Sequence, residues 1–588
     1  MKFNLQQILE KRREYITDKQ FVNILSALVG LLAGLAAVTI KKTVFFIQLA
    51  LKAETLASFQ HYFYFIYPTF GILLAILFIK FIIKAKVEHG IPGVLYALSQ
   101  TKGHIKKHNL FSSIVTASLT VGFGGSVGLE GPTVATGGAY GSAIGRFFRL
   151  NYKQVIILLG AACTAAMSAI FKAPITGVVF ALEVIMIDLT IGSVLPLLIA
   201  SVTAILTSFL FMGSNVLYHF ELQEAFTMAN LPIYIILGVV TGLLSVYFTK
   251  IYIFIQKTFK RINNPYLRLL TGGLSLGILI FFFPALYGEG YEAINAALSG
   301  KTDLIWQSSI FSTLNSNYYI GVLIILAVIL LKSFATSLTF AAGGVGGIFA
   351  PTLFMGSLSG VLFANIFVHF GVDLPVRNFA LAAMAGTIAG VLQAPLTAIF
   401  LIAEISGGYQ LLVPLMMVSV ISYITTRIFV KNSVYTYQLA QRGQLLTHHA
   451  DKNVLKMLDF ESLIEKNFIP IHNEGNLGDL VPVISNSERN IIPVIDNFDK
   501  FIGLIKFSDV RKIIFKTKLY DKIHISELIT YPEVIITSSD SMEVIAHKLT
   551  NNHVYNIPVV ENGKYIGFIS RANFFAEYRK LLKEYSED

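Results

Sequence analysis

The chain has 588 residues, of which 54% are apolar and only 14% charged, with mean hydropathy +0.65 and a formal net charge of +11. Such a composition excludes an ordinary soluble globular protein, and several uncharged runs reach the roughly 20 residues needed to span a bilayer, so the chain reads as a polytopic membrane protein. The charge is uneven, with 28 basic and 15 acidic side chains in residues 1–440 against 18 and 20 in residues 441–588; the excess fits basic cytoplasmic flanks and an anion-attracting field, and implies no nucleic acid.

Residues 1–20 are amphipathic and charged (Lys11-Arg12-Arg13, then Lys19), without the short apolar segment and cleavage site of a secretory signal. They are expected to form a cytoplasmic helix leading into a membrane region over 21–440, with clear spans at 21–40, 231–249 and 269–288. Glu130 is the only Asp, Glu, Lys or Arg between Phe111 and Arg146, and it sits in a glycine-rich break, Ser126-Val127-Gly128-Leu129-Glu130-Gly131-Pro132-Thr133-Val134. A lone carboxylate in an apolar stretch is expensive to hold, and its expected use is to meet an ion or a proton.

The break recurs. Ser118-Leu119-Thr120 through Val134 aligns without gaps, at an offset of 219, with Ser337-Leu338-Thr339 through Leu353, so Gly128, Pro132 and Thr133 match Gly347, Pro351 and Thr352. At an offset of 221, Ala173-Pro174-Ile175-Thr176 and Glu183 match Ala394-Pro395-Leu396-Thr397 and Glu404. The membrane half is therefore a duplication, with repeats at about 21–215 and 230–440. Matched helix breaks with a charge at one of them mark transporters and channels, with the ion site where the breaks meet. Residues 128–132 and 346–351 are expected to form the two halves of that site. Glu183 and Glu404, a symmetric pair, are expected to cap or pair near helix ends rather than to transport. Gly137, Gly138, Gly141 and Gly145 read as small-residue helix packing, Cys163 as a packed thiol, Asp188 as a loop start and Trp306 as an interfacial anchor.

After Arg442-Gly443 the composition turns polar, which marks a soluble tail over 441–588. It too repeats, at about 450–516 and 524–584: Asn490-Ile491-Ile492-Pro493-Val494-Ile495 with Ile502-Gly503-Leu504-Ile505 resembles Tyr555-Asn556-Ile557-Pro558-Val559-Val560 with Ile566-Gly567-Phe568-Ile569. Each unit reads as strand, polar turn, strand, then a helix with Asp509 or Asn573 near its start. This resembles a pair of CBS motifs, some members of which bind adenine nucleotides. The resemblance marks Asp509, Ser570 and Asn573 as candidate nucleotide contacts, but each copy departs once from the pattern, with Lys506 for Ser or Thr in the first and Asn573 for Asp in the second. A docking or dimerisation module that binds nothing is weighed slightly ahead.

Taken together, the segments resemble the CLC family of chloride channels and proton-coupled chloride exchangers. Gly90-Ile91-Pro92 matches the family's first motif, 128–132 its Gly-Arg-Glu-Gly-Pro motif, Gly347-Ile348-Phe349-Ala350-Pro351 the third, and Tyr435 the late tyrosine. The implied fold is mainly α, an inverted-repeat helical membrane domain with a cytoplasmic α/β CBS pair. The chemistry is consistent with it. A dehydrating chloride ion needs several donors but no full opposing charge, and helix N-termini supply free N–H groups at the positive end of the dipole. The resemblance implies anion contacts at His89, Gly90, Ile91, Leu129, Ile348, Phe349 and Tyr435, and a gating, proton-carrying Glu130, whose ionised carboxylate can sit where chloride would bind.

Three positions depart from the family pattern. Leu129 replaces an Arg and removes a cation near the outer entrance. His89 stands where familiar members have Ser; it is either an imidazole donor or a packed histidine. Val184 stands where exchangers carry a second carboxylate that relays protons from inside, although some exchangers lack it. On Val184 the reading leans to a passive, voltage- or pH-gated chloride channel of the cell membrane, homodimeric, with cytoplasmic N-terminus and tail. The alternative is a proton-coupled chloride antiporter. A more distant alternative, a CBS-regulated cation transporter or sensor, would need carbonyls or carboxylate rings along the pore. No metal-site or nucleophile-and-base spacing is present, so no enzyme activity and no required cofactor are expected.

Overall fold

The computed structural model describes residues 14–51, 60–85, 90–185, 191–214, 226–305, 318–437, 455, 458–551 and 554–586. His89, Asp188, Trp306, Arg442, Gly443 and the first 13 residues of the expected N-terminal helix lie outside them. The chain divides into two compact units, Met1–Leu445 and Leu446–Asp588.

The first unit is helical. Its first repeat comprises α1 (Asp18–Leu51), α2 (Gln60–Phe78), α3 (Gly90–Gln100), α4 (Ser112–Gly122), α5 (Glu130–Phe147), α6 (Tyr152–Phe171), α7 (Pro174–Glu183) and α8 (Ile191–Met212). The second comprises α9 (Leu231–Lys260), α10 (Pro265–Phe282), α11 (Tyr291–Leu298), α12 (Tyr318–Ala341), α13 (Phe349–His369), α14 (Val376–Leu392), α15 (Pro395–Ile405) and α16 (Leu412–Phe429). Among the described residues nine helices are long and apolar enough to cross a membrane, while α4, α7, α14 and α15 are shorter apolar helices. The local causes are legible: Asn151 and Gln154 form a capping box at the start of α6, and Pro174 and Pro395 open α7 and α15, where no N–H is required.

The repeats are stitched together by reciprocal contacts, each made twice. The Glu183 carboxylate accepts the Leu396 and Thr397 N–H groups at 3.0 and 2.7 Å, capping α15. Glu404 likewise accepts the Ile175 and Thr176 N–H groups at 2.9 and 2.8 Å, capping α7. The Val345 N–H donates to Thr120 Oγ1 and the Ser126 N–H to Thr339 Oγ1, both at 3.1 Å. Close helix packing repeats in the same way. A Cβ at Gly137 or Gly141 would lie 2.6 or 2.5 Å from a carbonyl oxygen of α6, and one at Gly356 or Gly360 would lie 2.5 Å from the α14 backbone. Small residues four apart thus let paired helices approach backbone to backbone, a device suited to lipid, where burial of apolar surface does not drive helices together.

In the second unit, β1 (Ile471–His472) pairs parallel with β2 (Ile491–Ile495), which pairs antiparallel with β3 (Phe501–Lys506). β4 (Asn556–Glu561) pairs antiparallel with β5 (Lys564–Ser570). Helices α17 (Phe460–Leu463), α18 (Leu477–Asn486), α19 (Phe507–Val510), α20 (Met542–Asn551) and α21 (Arg571–Ser586) complete it. One core gathers Leu477, Leu480, Ile492, Val494 and Ile505, and the other Ile545, Leu549, Ile557, Val559, Ile569 and Phe574. Phe468, Leu504 and Phe568 pack where the two copies meet.

Candidate functional site

The two helix breaks meet. Gly128 and Gly347 pair antiparallel, each N–H donating to the other's carbonyl, at 2.8 and 2.7 Å. This satisfies the backbone where neither segment is helical, and it points α5 and α13 away from a common centre with their N-termini facing inward. Gly90 joins them at the start of α3. Its φ of +63° lies in the left-handed region, which glycine adopts without strain, and a Cβ there would lie 3.6 Å from the Gly131 backbone and 3.7 Å from the Gly346 carbonyl oxygen.

Glu130 is fully buried at this junction. Its Oε1 accepts the Tyr291 hydroxyl at 3.1 Å, and the carboxylate faces its own N–H and that of Ala350. Among the described residues its Oε2 has no geometrically complete hydrogen bond. Glycine at 128 and 347 makes the room: a Cβ at Gly128 would collide with Oε2, and one at Gly347 would lie 3.1 Å from it. A carboxyl group is therefore seated between the positive ends of two helix dipoles, where backbone donors converge.

Beside it, Tyr435 is buried, its hydroxyl lacks a full hydrogen bond among the described residues, and it faces the Ile348 N–H. Ile348 and Leu129 are the N-caps of α13 and α5. Phe349 sets its ring among Phe171, Phe180 and Tyr435 in tilted and edge-on contacts, at centroid distances of 5.8, 6.0 and 6.5 Å. Gly90, Ile91, Leu129, Glu130, Ile348, Phe349 and Tyr435 thus belong to one buried neighbourhood. Val184, also buried, follows the last residue of α7 and donates its N–H to the Phe180 carbonyl at 2.8 Å. Such a pocket offers neutral donors to a small anion and one carboxylate able to compete with it.

The sequence reading counted one central carboxylate and missed four other groups. Glu289, between α10 and α11, faces the Leu129 N–H, with Glu130, Lys41 and Lys332 the charged groups around it. Lys41 Nζ donates to the Ile170 carbonyl at 2.5 Å, at the C-terminal end of α6. Lys332 is fully buried, donates to the Gly288 carbonyl at 3.1 Å and lies 4.7 Å from the centre of the Phe354 ring. Tyr291 is the fourth. Two of these had a signal, since Lys332 is the sole charge in α12 and Glu289 is flanked by Gly288 and Gly290. Lys41 and Lys332 also bring basic side chains near a site where position 129 is the apolar Leu129.

In the tail, the Ser570 hydroxyl donates to Glu465 and accepts the Asn573 N–H at 3.1 Å, while the Asn573 side chain donates to the Leu463 carbonyl at 3.4 Å. Asp509 is exposed and accepts the Ser508 hydroxyl at 2.9 Å. Ser570 and Asn573 are therefore both engaged with the 463–465 segment, which lies within the bounds of the first copy.

The family model described as voltage gated chloride channel matches residues 70–427, and that of the CBS domain matches residues 525–580. The chain is 29% identical over 446 residues to the H(+)/Cl(-) exchange transporter ClcA of Salmonella typhi, covering 70% of this chain and 88% of that protein. It is 28% identical over 385 residues to a ClcB-like protein of Ralstonia nicotianae, whose name places it among chloride channels, covering 64% and 85%. A crystal structure of a slow cyanobacterial Cl-/H+ antiporter superposes with a TM-score of 0.63 at 22% identity, over 73% of this chain and 98% of that one, a likeness of fold.

Proposed function

Since the chain belongs to the voltage gated chloride channel family, a family of chloride transporters, we propose that it exchanges chloride for protons across the membrane through Glu130. The observation that carries this reading is the buried Glu130 carboxylate held between two helix N-termini. Chloride takes the inner part of the path against the N–H groups at Ile348 and Phe349, the Tyr435 hydroxyl and the start of α3 at Gly90 and Ile91. His89 precedes that helix as a further donor. Ionised Glu130 fills the outer part, near Leu129, and excludes a second anion there. Protonation removes its charge, lets the side chain leave the N–H groups, and admits chloride; return of the carboxylate releases the proton on one side and displaces the anion. The name of the Salmonella relative favours exchange.

Passive gated conduction is the second reading, and Val184 favours it, because the residue after Glu183 is apolar and cannot relay protons, while the Glu183 carboxylate is taken up by the Leu396 and Thr397 N–H groups. The protein is further proposed to work as a homodimer in the cell membrane, each subunit with its own path, its N-terminus and tail cytoplasmic. The tail serves as a regulatory docking module. No cofactor is required, and an adenine nucleotide using Asp509, Ser570 and Asn573 would have to draw Ser570 away from Glu465.

Flux from chloride-loaded proteoliposomes, with external pH recorded under an imposed chloride gradient, tests the proposal. Wild type drives protons uphill, and Glu130→Ala passes chloride without them. Chloride efflux from wild type with no linked proton movement would establish the channel reading, and no anion flux in either protein would refute both.

A further inference from the structure

Glu289 is a buried-side carboxylate for which gating by Glu130 alone has no use. It lies in the 283–290 segment, beside a cavity of about 630 Å³ that it lines together with Tyr291. Both residues also reach the gate: Tyr291 donates its hydroxyl to Glu130 Oε1 at 3.1 Å, and Glu289 faces the N–H of Leu129, the residue before Glu130. Glu130 itself is fully buried and does not line this cavity. A proton arriving from the cavity therefore meets Glu289 and Tyr291 before it meets Glu130.

From this placement we infer that Glu289 is a second proton-carrying carboxylate of the exchange cycle, passing protons between the cavity and Glu130. The inference rests on the exchange reading above. The step balances simply. A hydronium ion in the cavity protonates the Glu289 carboxylate and leaves water. The O–H bond of the acid then breaks as one forms at Glu130, directly through a bridging water or by relay, with Tyr291 giving its proton to Glu130 and taking one from Glu289. The groups that set the balance are Glu130 on α5, Lys41 on α1 and Lys332 on α12, with Glu292, Lys301, Tyr64, Tyr67 and Tyr287 around the cavity. Lys332 donates to the Gly288 carbonyl immediately before Glu289, which places its amino group beside the carboxylate. Val184 removes the inner relay carboxylate, whereas Glu289 supplies one on the cavity side.

The test is Glu289→Gln in the full chain, reconstituted and assayed for chloride and proton flux together across a range of pH on each side of the membrane. Proton flux is expected to fall by roughly tenfold or more while chloride efflux persists, and Glu289→Asp, which restores a carboxylate, recovers coupling. Should Glu289→Gln not be recovered folded, Glu289→Gln combined with Lys332→Met keeps the charge of the cluster balanced and carries the same expectation. Unchanged coupling and an unchanged pH profile in a folded Gln variant would overturn the role of Glu289 and leave exchange intact. Absence of uphill proton movement in wild type would instead overturn the exchange reading, and this inference with it.

Discussion

Replacing Glu183 by Ala removes the cap of α15. The carboxylate accepts three hydrogen bonds, from the Leu396 N–H at 3.0 Å, the Thr397 N–H at 2.7 Å and the Thr397 hydroxyl at 2.7 Å. Hydrogen bonds to a charged group contribute about 1.5–3 kcal/mol each, but Glu183 is half-buried and water can replace part of what is lost. A loss near that of a strong N-cap plus one charged bond, about 3 kcal/mol, is expected, a change of roughly 100-fold in the folded-to-unfolded ratio. Glu183→Gln keeps an acceptor without the charge and should lose about half as much. Glu404→Ala, which strips the equivalent bonds from Ile175 and Thr176, should match Glu183→Ala. The 10 residues of α7 separate the two caps by about 15 Å, so the double variant should add to within ~0.5 kcal/mol. Equilibrium unfolding in mixed micelles of mild detergent and dodecyl sulfate measures this. A Glu183→Ala protein as stable as wild type, or a double variant no weaker than either single one, would refute the reciprocal-cap account.

Gly128→Ala places a methyl group against Glu130 Oε2, the free end of a flexible side chain. The protein should fold, with the carboxylate pushed from its seat, chloride efflux faster than wild type and proton coupling reduced; coupled-flux recordings would show it, and wild-type coupling would contradict it. In the tail, burial raises the Asp540 pKa, but this is outweighed by the Lys548 ammonium at 2.8 Å and the Thr537 N–H at 2.9 Å, so the carboxyl titrates below its ordinary range. Its folded pKa being depressed, its contribution is complete above the unfolded value of about 3.9 and fades as pH falls through the folded one. The pair is partly solvated, so the contribution is about 0.5 kcal/mol. Hydrogen exchange over residues 537–551 of the full chain should accelerate between pH 5 and pH 3 by more in wild type than in Asp540→Asn, once intrinsic exchange is divided out; equal acceleration would remove the ion pair from the account.

Much of the site was legible because it was written in local chemistry. A lone carboxylate in an apolar glycine-rich break, and the same break 219 residues later, mark a paired-helix junction before any coordinate is known. The symmetric Glu183 and Glu404 were readable as structural for the same reason, since a duplication that preserves both copies preserves what both copies need. Lys41, Glu289, Lys332 and Tyr291 were not assigned to the site. Lys332 and Glu289 stood out in their own segments, but nothing in the neighbours of any of the four states which other element it will face.

The sequence by itself determined that this is a duplicated, helical membrane protein with a repeated strand-rich tail, because span length, residue type at helix ends and internal repetition are properties of short segments. Only the tertiary structure decided what surrounds Glu130. The Gly128–Gly347 pairing, the Tyr291 hydroxyl at its carboxylate and the Lys41, Glu289 and Lys332 side chains around it come from segments up to 306 residues apart in number from one another. Their encounter is set by the packing of helices against one another, and burial away from water is what makes those few charges count.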